Sequence, residues 1–443
     1  MTQTFDLVLK GGTVVNQDGE GVRDIGITAG RITAIGQLGS AKASEVRDLK
    51  GLHVLPGVID SQVHFREPGL THKEDLETGS IAAVMGGVTG VFEMPNTNPL
   101  TTTAETLAAK VAAARDRMFC DFAFYVGGTR ENIADIPKLE RLEASAGIKV
   151  FMGSSTGNLL VDDEPHLDRI IGALSRRAAF HAEDEARLNA RKPVRRKGDA
   201  SSHPEWRDVE CAMLATTALV RMAEKYRRRV HVLHISTAEE IRFLRGHKTW
   251  ASVEVTPHHL TLTGPECYHR LGTFVQMNPP VRDAATQAEL WAGIADGTVD
   301  VIGSDHAPHT AKEKHHTYPD SHSGMTGVQT LVPTMLDHVN KGRLSLARFV
   351  DLTSAGPNRI FGIANKGRIA VGYDADFTIV DLKRTETITN DWIRSKSKWT
   401  PYDGVKVQGW PVGTMVRGAF AMWQGELATK ARGAPIKFYE GQI

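Results

Sequence analysis

Eight short apolar runs, each ending in polar residues, alternate with amphipathic stretches through the middle of this chain, and no other feature narrows its fold as far. The runs are VLPGVIDSQVHF, GVTGVFEMPN, DFAFYVGGT, GIKVFMGS, AAFHAED, RVHVLHIS, WASVEVTPHH and VDVIGSDHAPH. Between them, stretches such as TTTAETLAAKVAAARDRM and HPEWRDVECAMLATTALVRMAEKYR place apolar residues three and four apart behind good capping residues, which is the helical period. Eight strand-then-helix units predict an α/β fold, a closed (β/α)8 barrel of the TIM type, over residues 56–365. In such a barrel the chemistry sits where strands give way to the loops that follow, so the polar residues ending each run become the candidates.

The flanks have a different texture. FDLVLKGG, RITAIGQ and GLHVLPG near the start, and KGRIAVGYDADFTIVDL and VQGWPVGTMVRGAFAMWQGE near the end, read as short strands punctuated by Gly and Asp. Neither flank looks able to fold alone. Residues 1–55 and 366–443 are therefore expected to form one small β-sandwich domain built from both termini.

Composition excludes several partners. Lys+Arg 53 nearly cancels Asp+Glu 52, and a net charge of +1 offers no global field for nucleic acid or an anionic membrane, so an anionic substrate must be held by local cations. The most basic stretch, ARKPVRRKG, has no interleaved aromatic residues and reads as a solvated loop. No window approaches 18 apolar residues, and MTQTFDLVLKGG lacks the basic start and apolar core of a signal peptide; the expectation is a cytoplasmic protein. The cysteines, Cys120, Cys211 and Cys267, are scattered and form no CxxC pair, so any metal must be held by histidines and carboxylates.

Such ligands stand at the strand ends: His64 after run one, Lys149 in run four, His181 after run five, His234 after run six and Asp305 after run eight. One histidine there is more often a packed core residue, but several His or Asp candidates at one end of one barrel are poorly explained by packing. The set suits zinc or a similar divalent ion with open positions for water. Strand alternation sends His231 and His234 to opposite faces, leaving His234 for the barrel mouth. Asp305 and His309 fall on one side, while His306 faces away in a structural role. His258 and His259 offer either a further partner or packing. Lys149 is costly inside an apolar strand unless the amine is paired or chemically altered.

The segment DSQVHFREPGLTHKED resembles the strand-one motif of the dihydroorotases of the amidohydrolase superfamily, and MPNTNPLTT, GIKVFMGSSTG, FHAEDE, HVLHIST, QMNPPVR and GSDHAPHT follow in that family's order. The resemblance spans nearly the whole chain. It implies reversible, zinc-dependent hydrolysis of dihydroorotate to N-carbamoyl-aspartate, a step of pyrimidine synthesis. It also implies that Lys149 is carboxylated by carbon dioxide and bridges two zinc ions, one on His181 and His234, the other on the strand-one histidines and Asp305. Asp305 would accept the proton of the attacking water and return it to the departing ring nitrogen. Arg66, two residues beyond His64, has the planar fork that grips a carboxylate; its alternative is a surface ion pair with Glu67. By resemblance Asn96 and His309 complete this clamp, Asn278 contacts the ring, and the backbone of Ser323 and Gly324 covers it from TAKEKHHTYPDSHSGMTG, long enough to act as a lid. As partners the resemblance implies a small-molecule substrate, a homodimer and an association with aspartate carbamoyltransferase.

One position departs from the pattern. The family usually has HxH at the end of strand one, and this chain has Gln62-Val63-His64. An amide oxygen is a poor zinc ligand, which leaves three readings: two metals with one loosely held, a single metal at His181 and His234, or an inactive homologue kept as a partner subunit. Allantoinase and dihydropyrimidinase share the barrel and the lysine but act on rings without this carboxylate, so Arg66 discriminates against them.

Overall fold

The computed structural model describes residues 4–39, 41–154 and 157–439. Eight parallel strands pair in sequence order, Val58–Val63, Val88–Glu93, Asp121–Gly127, Ser145–Phe151, Ala178–His181, Val230–Val232, Ala251–Val255 and Val301–Ile302, and are called barrel strands one to eight below. The ring closes beyond strand eight, where the His64 N–H donates to the His306 carbonyl at 2.7 Å beside a Val63–His306 bridge. Period-two alternation divides each strand. Ile148 and Val150 face the helices, while Lys149 is buried and lines the mouth, so one apolar run serves two environments.

The lower barrel is packed with Ile59, Phe92, Ala123, Tyr125, Ala146, Ala179 and Leu233. Phe361, Ile363, Ile436 and Phe438 close it from below, and the chain near Ala434 and Ile436 pairs with Phe122 of strand three through two backbone bonds of 3.1 and 2.8 Å. With the floor plugged, solvent reaches the interior from the strand C-terminal end.

The two flanks share one nine-stranded sheet. Thr4–Asn16, Gly19–Thr28, Arg31–Gly36, Lys42–Asp48 and His53–Pro56 supply one part, and Phe377–Thr387, Lys406–Val416, Ala419–Trp423 and Glu426–Leu427 the other. The seam is antiparallel, with Leu55 opposite Thr378, and residues of both flanks enter one apolar cluster that includes Leu7, Ile25, Val54, Ile379 and Met415. A buried ammonium, Lys366, lies 2.6 Å from Asp121 of strand three and 3.0 Å from Asp374, and also pairs with Asp376, fastening sheet to barrel. Among the described residues, no helix is long and apolar enough to cross a membrane.

Candidate active site

A cavity of about 490 Å³ opens at the strand C-terminal end, and its wall brings together Gln62, His64, Arg66, Asn96, Lys149, His181, His234, Asn278, Asp305, His309, Ser323 and Gly324. Three of these have left-handed backbone: Arg66 at φ 65°, His234 at 36° and Asp305 at 48°. Non-glycine residues rarely adopt that region, and here it turns each side chain at the point where its strand ends. This corrects the alternation argument for strand six. The strand stops at Val232, and the turn at His234 sends that ring to the mouth although His231 also faces inward, deeper, bonded to Ser252 at 2.8 Å and packed on Phe361.

One pole of the cavity is an array of lone pairs. His64 donates Nδ1–H to Asn96 Oδ1 at 2.8 Å, which leaves its Nε2 lone pair 3.3 Å from Asp305 Oδ1. His181 donates Nε2–H to Glu183 at 2.7 Å, and Arg207 and Ser154 hold that carboxylate. The free Nδ1 of His181 faces His234 Nε2 at 3.0 Å, and His234 Nδ1 is buried with no partner. Burial pushes all three imidazoles below their usual pKa, so they are neutral ligands. Imidazole nitrogens and a carboxylate oxygen that converge in this way are groups that fit a divalent cation.

Lys149 stands at the base of this pole, buried, with Nζ 3.4 Å from the Val150 carbonyl and 4.1 Å from the Phe151 ring centroid. Burial drives its pKa well below the usual lysine value, against the opposing pull of Asp305 and Glu254. Gln62 donates Nε2–H to Asp305 Oδ1 at 3.0 Å, and its own Oε1 is buried without a partner.

The opposite pole is cationic. Arg66, 6% exposed, donates Nε–H to the Pro308 carbonyl at 3.1 Å, and its Nη2 lies 3.2 Å from His309 Nε2. It makes no pair with Glu67, whose carboxylate is taken by Arg117 at 2.8 Å. Lys73 and His322 join this wall; both lie off the strands, beyond the reach of a strand-end search. Gly324 has φ 141°, and a Cβ there would sit 2.4 Å from the Ala307 carbonyl, so a side chain is excluded where the covering loop crosses the barrel rim. Lys314 anchors that loop from beneath with donations to the carbonyls of Gln276 at 3.1 Å, His322 at 2.8 Å and Gly324 at 2.9 Å. Asn278 accepts from His203 at 2.9 Å.

Three further histidines are tied into the packing. His306 Nδ1 accepts from Gly327 N–H at 3.0 Å, His258 stacks on Tyr402, and His259 bonds Thr256 at 2.9 Å and the Pro279 carbonyl at 3.1 Å. Ligand atoms of His309, Glu313 and His322 also lie within 4.8 Å of one another. Both His309 nitrogens are engaged, by Lys73 and Ser323, and two cations face the group, so it is a poor host for a third.

This barrel, with its metal-ready mouth and a second domain from both termini, is that of a cyclic-amide-type amidohydrolase. A sequence model of the amidohydrolase family matches residues 53–421, and the chain belongs to that family, whose members are typically metal-dependent. It is 38% identical to the dihydroorotase of Methanosarcina mazei over 95% of this chain and 94% of that one, and 34% identical to that of Bacillus subtilis over 95% and 99%. Among solved structures, L-hydantoinase (dihydropyrimidinase) from Arthrobacter aurescens superposes with a TM-score of 0.93 at 30% identity, covering 98% of this chain and 100% of that one.

Proposed function

We infer that this chain is a hydrolase of cyclic amides that opens dihydroorotate to N-carbamoyl-L-aspartate and, in reverse, closes the ring for pyrimidine synthesis. The observation that carries the reading is Arg66, a buried guanidinium on the cavity wall that no carboxylate of the described residues pairs with. Leaving a buried cation unpaired is costly, and the carboxylate of dihydroorotate supplies what the protein withholds. Hydantoin and dihydrouracil carry no such group. The dihydroorotase relatives agree; the hydantoinase likeness reflects the shared barrel.

In this reading His181, His234 and Lys149 would hold a zinc ion, with His64 and Asp305 toward a second position that Gln62 weakens. The Lys149 amine, by adding to carbon dioxide and losing a proton, would offer a carbamate oxygen as a further ligand. A bound ion supplies Lewis acidity, polarising the ring carbonyl and lowering the pKa of nearby water. The protein's own groups do the rest. Arg66, Asn96 and His309 orient the carboxylate, Asn278 meets the ring, and Ser323 and Gly324 exclude solvent. Asp305, ionised at neutral pH, takes the proton of the attacking water and returns it to the departing ring nitrogen. We carry over from the resemblance a cytoplasmic homodimer, with or without aspartate carbamoyltransferase; sedimentation of the purified chain alone and with that enzyme checks both.

The test is a substrate panel. Purified protein is incubated with dihydroorotate, N-carbamoyl-aspartate, hydantoin, dihydrouracil and allantoin, with elemental analysis of the same sample. Turnover confined to the first two with at least one zinc per chain is expected; preference for a ring without a carboxylate refutes the reading, and a metal-free inactive chain favours a non-catalytic subunit.

A further inference from the structure

The cationic wall poses a question of proton placement. His309 is buried, and its two nitrogens face three donors or acceptors: Nδ1 lies 3.1 Å from Lys73 Nζ, while Nε2 lies 3.0 Å from the Ser323 carbonyl and 3.2 Å from Arg66 Nη2. An ammonium has no lone pair and can only donate, so Nδ1 must accept. Burial, with Arg66, Lys73 and Lys314 nearby, keeps the imidazole far below its ordinary pKa and therefore neutral. A neutral ring that accepts at Nδ1 carries its proton on Nε2. That proton is donated to Ser323, and the Arg66 Nη2–H beside it meets another donor rather than an acceptor.

We propose that Lys73 is a positioning residue that, together with the Ser323 carbonyl, holds His309 in the Nε2–H tautomer, so that Arg66 finds no acceptor on the ring and its Nη2–H stays free for the substrate carboxylate. The proposal rests on the dihydroorotate reading and deepens it. Without Lys73 only the Ser323 carbonyl still favours Nε2–H; where the proton moves to Nδ1, Nε2 accepts from Arg66 instead and the carboxylate loses that donor. Lys73 is itself held by Glu313 at 3.0 Å, and Glu313 by Thr310, whose N–H and hydroxyl both donate to it at 2.9 Å. The arrangement thus runs from a helix cap through a carboxylate and an ammonium to one imidazole.

The test reads the tautomer directly. Nitrogen-15 NMR of histidine-labelled, ligand-free protein, with His309→Gln identifying the resonance, is expected to show a bare Nδ1 and a protonated Nε2 in the wild type. Lys73→Met is expected to shift the proton to Nδ1 or to a mixture, and to raise KM for dihydroorotate about tenfold or more with kcat within about threefold, the pattern of lost uniform binding. Lys73→Arg, which still only donates, is expected to keep the wild-type tautomer. A protonated Nδ1 in the wild type, or an unchanged tautomer in Lys73→Met, overturns the proposal; should Lys73→Met fail to fold, the wild-type and Lys73→Arg spectra decide it. If dihydroorotate is not turned over while the tautomer responds as described, the substrate reading falls and the control of His309 by Lys73 stands.

Discussion

Replacing Lys314 by methionine keeps the length and apolar stem of the side chain and deletes three hydrogen-bond donors. In the native loop those donors tie together the carbonyls of Gln276, His322 and Gly324, two loops that meet over the cavity. Hydrogen bonds from a charged donor are worth about 1.5–3 kcal/mol net, so three would sum to roughly 4–9 kcal/mol. Two effects reduce that sum. Burial brings the Lys314 pKa down to about 7, a desolvation penalty on its charged form that methionine does not carry, and the loop can hydrate its carbonyls by opening, which caps the loss at the opening free energy. A net change of about 3 kcal/mol corresponds to roughly 100-fold in the opening equilibrium. Hydrogen exchange read by mass spectrometry over residues 315–324 is the assay. Protection there should fall by about that factor while the barrel strands keep theirs. Protection within about threefold of wild type would refute the staple, and a loss spread over the barrel would show a folding defect instead.

Other perturbations separate the two poles of the cavity. Arg66→Ala removes a buried charged donor pair, about 3 kcal/mol or roughly 100-fold in KM for dihydroorotate, while zinc content by elemental analysis stays at the wild-type value; loss of zinc contradicts the clamp role. Gln62→His exchanges a neutral amide donor for an imidazole lone pair facing Asp305 and should raise metal content per chain; unchanged metal and unchanged activity would remove our account of this position. Burial pushes the Glu313 carboxyl up, but Lys73 and the Thr310 donors prevail and hold it at about 2. Its folded pKa is below the unfolded value near 4.5, so its stabilising contribution is complete above that value and is lost as pH falls through about 2. Carbon-13 titration should show the wild-type side chain ionised at pH 3 and the pKa rising in Lys73→Met; an unaltered titration would mean that Lys73 does not hold it.

The barrel was legible because its strands are short apolar runs with period two and its helices keep period 3.6, and His64, Lys149, His181, His234 and Asp305 were legible because polar groups at strand ends have nothing to pack against. His231 exposes the limit of that logic. Alternation holds only while the strand lasts, and the backbone turn at His234 is set by tertiary pairing that no period encodes. Lys73, His322 and Lys314 were missed for a related reason: the first two lie in loops and the third ends a one-turn helix, Ala311–Lys314, so spacing carries no orientation, and each matters through a carbonyl or ring supplied by another segment. Glu183, which orients His181, stands two residues on in FHAEDE, just past the end of strand five at His181, where alternation no longer assigns a side.

That division between strand and loop bears on why this backbone matches a hydantoinase so well while its sequence relatives are dihydroorotases. The groups that fit a cation, His181, His234, Lys149 and Asp305, are fixed by strand ends, and their geometry follows from the barrel whatever ring is bound. The groups that on our reading serve the substrate carboxylate, Arg66, Asn96 and His309 with Lys73 behind it, hang from the segments after strands one, two and eight, where side chains can change without moving a strand. A backbone superposition therefore reports the shared hydrolytic end of the cavity and is nearly blind to the other. On our reading, the substrate is decided by four side chains that such a comparison does not weigh, and exchanging them, rather than remodelling the barrel, is the change that would turn this site toward an uncharged ring.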